Sequence, residues 1–117
     1  MHTLFVYGTL RKGGSQHERM KKAVFLSEAT VSGQLYQIDW YPGAVLDEEQ
    51  RTRIHGELYQ VPDNLRAELD DFEGSEYRRV KVNTLTTKHE VIGAWIWEYV
   101  LPTARKKIIA SGDWLHR

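Results

Sequence analysis

The segment at residues 90–100 constrains the fold of this 117-residue chain most strongly. Its sequence, EVIGAWIWEYV, is apolar on both alternating sets of positions over most of its length. Since successive side chains of a strand point to opposite faces, such a segment must be covered on both sides. We therefore predict a central strand of a curved sheet or barrel, with core on one face and another element or a ligand cavity on the other.

Shorter patterns predict the remaining strands and one principal helix. Apolar or alternating runs predict strands at residues 3–7, 31–38, 53–61 and 77–85. Pro62 suits the first turn of a helix, and apolar residues recur at helical spacing from Val61 to Phe72. Residues 40–43, Trp-Tyr-Pro-Gly, are typical of a turn.

Weaker signals complete the predicted architecture. Residues 16–23 could form two exposed helical turns with Ser15 as the N-cap, and residues 105–111 a last helical turn that ends at Gly112. Gly33 is expected to bend or bulge its strand. The chain is thus predicted to be one α+β domain over its whole length, a strongly curved sheet of five to seven strands with one or two short helices.

Composition excludes several classes of function. Sixteen basic and sixteen acidic residues balance, which argues against nucleic acid or an anionic membrane as the main partner. The chain has no cysteine, which excludes disulfides, thiolate metal sites and cysteine nucleophiles. No apolar run approaches the length of a membrane span, and the first residues lack a basic leader, so we expect a cytoplasmic protein. Its small size and neutral charge are compatible with a monomer.

Glu73 is the candidate acid–base residue. It follows Leu69 by four positions and Phe72 by one, so on a helix it leans toward the buried side. Burial, the negative end of the helix dipole and the neighbouring acidic residues should all raise the pKa of its carboxyl. A glutamate whose pKa lies near neutrality is suited to proton transfer. The competing interpretation is a solvated acidic helix end.

The turn Tyr7-Gly8-Thr9-Leu10 is the candidate binding element. A glycine directly after a strand allows a sharp turn, whose successive N–H groups can hold a carboxylate or a developing oxyanion. The glycines that follow do not complete a phosphate-binding motif. Such backbone donors, together with one isolated carboxylate, would be sufficient to bind an amino-acid-like ligand and move a proton on it.

Other candidate groups carry less weight. The five histidines, at positions 2, 17, 55, 89 and 116, show no ligand spacing for a metal. Trp95, Trp97 and Tyr99 share one strand face and are expected in the core, where one of them could line a pocket. Glu98, on the opposite face, is expected to be paired or at a rim. The basic run at residues 105–107 is a solvated surface or a docking spot.

Several short motifs together resemble the gamma-glutamylcyclotransferase-like superfamily, in particular its compact AIG2-like branch, which contains the gamma-glutamylamine cyclotransferases. The matching segments, in the order in which the family has them, are FVYGTLR (5–11), YPG (41–43), HGELY (55–59), LDDFEG (69–74), YRR (77–79) and SGDWL (111–115). They extend over nearly the whole chain. The resemblance implies a small mixed β-barrel with a cavity beside the turn after the first strand.

The resemblance also implies an activity and its residues. Glu73 would be the general acid/base, and the backbone N–H groups of residues 7–10 would hold the glutamyl or 5-oxoproline part of the ligand. Tyr99 matches a tyrosine that lines the pocket in relatives. The reaction would release 5-oxoproline from a gamma-glutamyl amine or peptide by attack of its own α-amino group, with no cofactor and no metal. Some bacterial relatives have lost the catalytic glutamate, which this chain keeps.

Two alternatives stay open beside the enzyme. The same scaffold could bind a small carboxylate or another partner without turnover. A protein partner could also dock on the basic residues 105–107.

Overall fold

The computed structural model describes residues 1–49 and 52–117. Within them lie seven strands, one α-helix and two short 3₁₀ helices, His17–Met20 and Trp114–His116. The strands are β1 (His2–Val6), β2 (Val24–Gln37), β3 (Pro42–Leu46), β4 (Arg53–Val61), β5 (Tyr77–Thr86), β6 (Val91–Tyr99) and β7 (Lys107–Ile108), and the helix is α1 (Asp63–Glu73). None of the helices in these residues is long and apolar enough to cross a membrane.

Five strands close into a mixed barrel in the order β2-β4-β1-β6-β5, with β5 pairing back to β2. All neighbours are antiparallel except β1 and β6, which are parallel and place Leu4 opposite Trp95. The long strand β2 contributes its first part to the barrel, while its last residues pair with β3 and β7. The predicted fold class, a compact mixed β-barrel of five to seven strands, is confirmed.

The last residues of β1 and the second half of β6 are buried on both faces, whereas Val91 and Gly93 at the start of β6 are exposed. Successive residues from Leu4 to Tyr7 pack alternately in two hydrophobic clusters. Phe5 and Tyr7 belong to the first cluster, and Leu4 and Val6 belong to the second. The first cluster is shared by strands around the barrel, and the second includes Leu65 and Leu69 of α1, for example. The helix therefore covers the outer face of the strands whose inner face forms the barrel core, which explains why the segment at residues 90–100 has no polar face.

Of the two weaker helix predictions, the first is confirmed for one turn only and the second was wrong. Residues 17–20 alone form a single 3₁₀ turn that begins after Gln16, so Ser15 is not its cap. The segment 105–111 contains β7, in which Ile108 pairs with Tyr36 of β2, and Gly112 ends no helix. A short helix has little stability of its own, and at residues 107–108 pairing with the distant strand β2 outweighs local propensity.

The second predicted strand is longer than expected. It begins at Val24, and the irregularity in its pairing with β4 lies between Phe25 and Ser27, away from Gly33. The predicted turn at residues 40–43 is shorter than expected. Trp40 and Tyr41 lie outside the strands, whereas Pro42 and Gly43 belong to β3 and pair with β2.

Candidate active site

A cavity of about 170 Å³ lies where the turn after β1 meets the end of α1 and the residues before β3. Its lining in the described part of the chain consists of Phe5, Val6, Tyr7, Gly8, Thr9, Leu10, Trp40, Tyr41, Pro42, Phe72, Glu73, Glu76, Tyr77 and Trp97. The two segments singled out in the sequence, residues 7–10 and Glu73, thus meet around one cavity. No histidine belongs to this lining.

The turn after β1 offers backbone donors to the cavity. Its carbonyl oxygens are used: Gly8 O accepts from Arg11 N–H at 3.1 Å, and Thr9 O from Gln16 N–H at 2.9 Å. The N–H groups of Gly8, Thr9 and Leu10 donate to no other group in residues 1–49 and 52–117. Because these three residues line the cavity, their N–H groups are available to a ligand.

Glycine is required at position 8 by close packing. A Cβ built there would lie 2.7 Å from Cγ of Pro42, which also lines the cavity. Any side chain at this position would push the turn and the start of β3 apart.

A buried ion pair holds the turn in place. Arg11 Nε donates to Oε2 of Glu57 at 3.1 Å, and the N–H of Lys12 donates to Oε1 of the same carboxylate at 3.0 Å. Arg11 Nη1 donates to Oδ1 of Asp113 at 2.7 Å, which ties the C-terminal 3₁₀ helix to the turn. Sequence patterns alone predicted no role for these charges. The signal was available in Glu57, a charged residue inside a strand that is otherwise buried there.

Glu73 is the last residue of α1 and is half-buried at the cavity. Burial, and second the negative charge of Asp70, raise the pKa of its carboxyl from 4.5 to about 7. The helix ends immediately after it, because Gly74 takes a positive φ of 75° and donates its N–H to Asp70 O at 3.1 Å. The predicted direction of the pKa shift is confirmed, and Asp70 is the acidic neighbour that contributes to it.

Asp70 stays ionised although it is partly buried. Burial acts to raise its pKa, but hydrogen bonds from Trp97 Nε1 (2.7 Å) and Arg66 Nη1 (2.9 Å), with the charge of Arg79, lower it below its ordinary value. Arg79 Nε also donates to Oδ1 at 3.1 Å. A fixed negative charge therefore lies one helical turn before Glu73. The sequence pointed to Asp70 as an acidic neighbour of Glu73, but its three partners, which come from α1, β5 and β6, were visible only in the folded chain.

Tyr7 contributes its backbone and ring to the cavity, while its hydroxyl is engaged elsewhere. The buried hydroxyl donates to Trp97 O at 2.7 Å and accepts from Ala44 N–H at 3.1 Å. Burial, and second the charge of Glu73, hold the pKa of this phenol well above its ordinary value. Tyr7 therefore connects β1, β3 and β6 beneath the cavity.

The family model described as "Gamma-glutamyl cyclotransferase, AIG2-like" matches residues 4–116. The chain belongs to this family. Among relatives of this gamma-glutamylcyclotransferase family member, the "Gamma-glutamylcyclotransferase family protein YtfP" of Escherichia coli K12 is 38% identical over 118 residues, which cover 97% of this chain and 96% of that protein. The "Gamma-L-glutamyl-butirosin B gamma-glutamyl cyclotransferase" of Niallia circulans is 39% identical over 75 residues, 62% of this chain and 46% of that protein.

Solved structures show the same architecture. The protein PH0828 of Pyrococcus horikoshii has a TM-score of 0.79 at 32% identity and is matched over 99% of this chain and 92% of its own. An AIG2-like protein of mouse has a TM-score of 0.77 at 24% identity, with 86% of this chain and 78% of that chain covered, a likeness that concerns the fold alone.

Tyr99 lies next to the cavity and is not part of its described lining. Its ring packs edge-on against Tyr77, which does line the cavity, with centroids 5.6 Å apart. The predicted role of Tyr99 in substrate binding stays a prediction. Its neighbour Glu98 accepts a hydrogen bond from Leu46 N–H at 2.9 Å, so the expectation that Glu98 is paired is confirmed.

Proposed function

We propose that this protein is a cyclotransferase that releases 5-oxoproline from a gamma-glutamyl amine or peptide, with Glu73 as its general acid/base. The observation that carries the proposal is a carboxyl with a pKa of about 7 in the same small cavity as three backbone N–H donors that have no partner among the described residues. Membership of the gamma-glutamylcyclotransferase family supports the class of reaction.

The reaction needs positioning and one proton carrier. The nitrogen of the substrate's α-amino group attacks its own γ-carbonyl carbon, which forms the C–N bond of a five-membered lactam. Since the attack is intramolecular, the cavity chiefly has to hold the substrate in a folded conformation. The C–N bond to the leaving amine then breaks, and the products are 5-oxoproline and the free amine.

Glu73 would carry the proton between the two nitrogens. As a carboxylate it accepts a proton from the attacking ammonium or amine, and as the acid it protonates the departing nitrogen. A pKa near 7 keeps both forms populated at neutral pH, which suits a group that acts first as base and then as acid.

The turn after β1 would bind the anionic parts of the substrate. The N–H groups of Gly8, Thr9 and Leu10 can donate to a carboxylate or to the oxyanion of the tetrahedral intermediate. Donors preorganised in this way each contribute about 3 kcal/mol in comparable sites. The Arg11–Glu57 ion pair would act indirectly, by fixing the backbone that carries these donors.

The test is turnover of a panel of gamma-glutamyl amines and peptides, with 5-oxoproline measured by mass spectrometry. Glu73→Gln keeps the size of the side chain and removes the titrating group, so we expect a loss of about 10²–10⁴-fold in kcat. Glu68→Gln, at an exposed position of the same helix, is the matched control. Circular dichroism would establish that each variant is folded.

The competing function is binding without turnover. In that case the folded wild type would bind 5-oxoproline or another small carboxylate, would release nothing from the panel, and would bind equally well after Glu73→Gln. This combination of results would refute the proposed enzyme.

A further inference from the structure

The cavity has a closed end and an open end. Phe5, Val6 and Trp97 at one end are almost fully buried, whereas Trp40 lines the same cavity and is 57% exposed. The half-buried residues Tyr41 and Glu76 also belong to the lining. The opening to solvent is therefore beside Trp40.

The size of the cavity separates the two parts of a substrate. At about 170 Å³ it is smaller than the roughly 300–1,000 Å³ of sites that enclose drug-sized ligands. It therefore suits one amino-acid-sized group, the glutamyl part. A larger leaving group must extend through the opening and contact the residues around it.

The charges around this opening are negative. The charged side chains in the described lining are two carboxylates, Glu73 and Glu76, and no lysine or arginine joins them. Tyr41 donates its hydroxyl to Oε1 of Glu76, while Oε2 of Glu76 has no hydrogen-bond partner in residues 1–49 and 52–117. The pKa of Tyr41 is raised to about 12, first by its hydrogen bond to Glu76, then by burial and by the charge of Glu76. The exposed carboxylate of Asp39 adds a smaller contribution of the same sign, so its negative charge also lies near this tyrosine.

The ring of Trp40 is also free to accept a cation. Trp95 carries Arg79 and Lys81 over its ring, and Trp114 carries Arg117. Within the described residues, by contrast, no basic side chain lies over Trp40, whose ring contacts that of Tyr41 edge-on with centroids 5.2 Å apart. An aromatic face next to unpaired carboxylate oxygens is a favourable environment for an ammonium group.

We propose that Trp40, Tyr41 and Glu76 form a leaving-group subsite that selects gamma-glutamyl compounds whose leaving amine carries a second, positively charged group. This inference rests on the proposed function and adds to it the class of leaving group. A dipeptide leaving group that ends in a carboxylate would place its negative charge beside Glu76 and Asp39, which is unfavourable.

Arg19 brings a positive charge near the lining, and its effect on substrate selectivity would be opposite to that of the carboxylates. The guanidinium of Arg19 lies 4.1 Å from the ring centre of Phe72, on which it packs. If Arg19 rather than the carboxylates determined selectivity, anionic leaving groups would be preferred.

Three matched substrates test the proposal. They are gamma-glutamyl amides of 1,4-diaminobutane, of pentylamine and of 4-aminobutanoate, which differ in the charge at the far end of a similar chain. We expect kcat/KM for the cationic amide to exceed that for the neutral amide by about tenfold, and that for the anionic amide by more. Equal values for the three, or a preference for the anion, would overturn the subsite.

Substitutions at Glu76 and Trp40 test whether these residues cause the preference for a cationic leaving group. Glu76→Gln and Trp40→Ala should each bring the cationic-to-neutral ratio of kcat/KM toward one, whereas Asp71→Asn, at an exposed position of α1 outside the lining, should leave the ratio unchanged. A ratio that stays constant in both subsite variants would contradict the assignment.

Binding measurements separate this inference from the proposed reaction. If none of the three compounds is turned over, the cyclotransferase proposal fails, and the subsite is then judged by the dissociation constants of the same compounds in calorimetry. The same order of preference, cationic before neutral before anionic, would support the subsite, and any other order would refute it.

Discussion

The raised pKa of Glu73 predicts a pH dependence of folding stability that can be measured without any substrate. A carboxyl whose pKa is higher in the folded than in the unfolded chain keeps its proton in the folded state over an intermediate pH range. For Glu73 this range extends from 4.5, the ordinary value, to about 7. Within it the folded state binds one more proton than the unfolded state, so the free energy of unfolding falls as pH rises.

The magnitude follows from the width of that range. A difference of about 2.5 pH units, at about 1.36 kcal/mol per unit, corresponds to about 3 kcal/mol. This is an upper limit because the half-buried carboxyl is accessible from the cavity. It is still a substantial fraction of the roughly 5–15 kcal/mol that stabilises a typical domain.

Glu73→Gln removes the titration while preserving size and helix propensity. Below pH 4.5 both the wild-type Glu73 and the glutamine are neutral, so the two proteins should have similar stability. Above pH 7 the wild type carries a buried charge that the variant lacks. The variant should then be more stable than the wild type by up to about 3 kcal/mol.

Urea denaturation at intervals between pH 4 and pH 8.5 would measure the difference. Glu68→Gln removes an equal charge from an exposed position of α1 and controls for the change in net charge. If the stability curves of wild type and Glu73→Gln run parallel over this pH range, the carboxyl is not perturbed by burial, and the acid–base role of Glu73 loses its physical basis.

Two further predictions concern the groups that support the site. Asp70→Asn removes the negative charge that helps to raise the pKa of Glu73, so the rise of kcat/KM with pH should move to lower pH; an unchanged pH profile would show that Asp70 has no electrostatic effect on Glu73. Glu57→Gln breaks the buried pair with Arg11 and should lower the free energy of unfolding by about 3 kcal/mol, since Asp113 still pairs with Arg11. Glu28→Gln, the exposed partner of Glu57 across β2 and β4, is the control, and an equal loss in both variants would contradict this account.

Local patterns were sufficient where burial repeats with a regular period. The apolar character of residues 90–100 on both faces predicted a strand enclosed on both sides, and this holds for the second half of β6, with barrel core on one side and the cluster that includes α1 on the other. The spacing of Leu65, Leu69 and Phe72 predicted α1 in the same way. The position of Glu73 at the end of that helix then followed from its distance to Leu69.

Local patterns failed where a few residues depend on a distant partner. Strand β7 has only two residues, and it forms because they pair with Tyr36 and Gln37 of β2. Propensity favours a helix there, yet a single helical turn has little stability of its own and yields to a strand pairing that satisfies backbone groups. The Arg11–Glu57–Asp113 contacts likewise join residues that are far apart along the chain.

The amino-acid sequence by itself therefore determined five of the strands and the helix α1, the turn that exposes backbone donors, and the carboxyl at the end of that helix. Only the tertiary structure decided that this carboxyl and these donors share one cavity, that Asp70 remains charged beside it, and that the opening is lined by Trp40 and Glu76. The physical reason is that periodic burial is written into neighbouring residues, whereas closure of the barrel, desolvation and electrostatic coupling arise between residues that only the folded chain brings together.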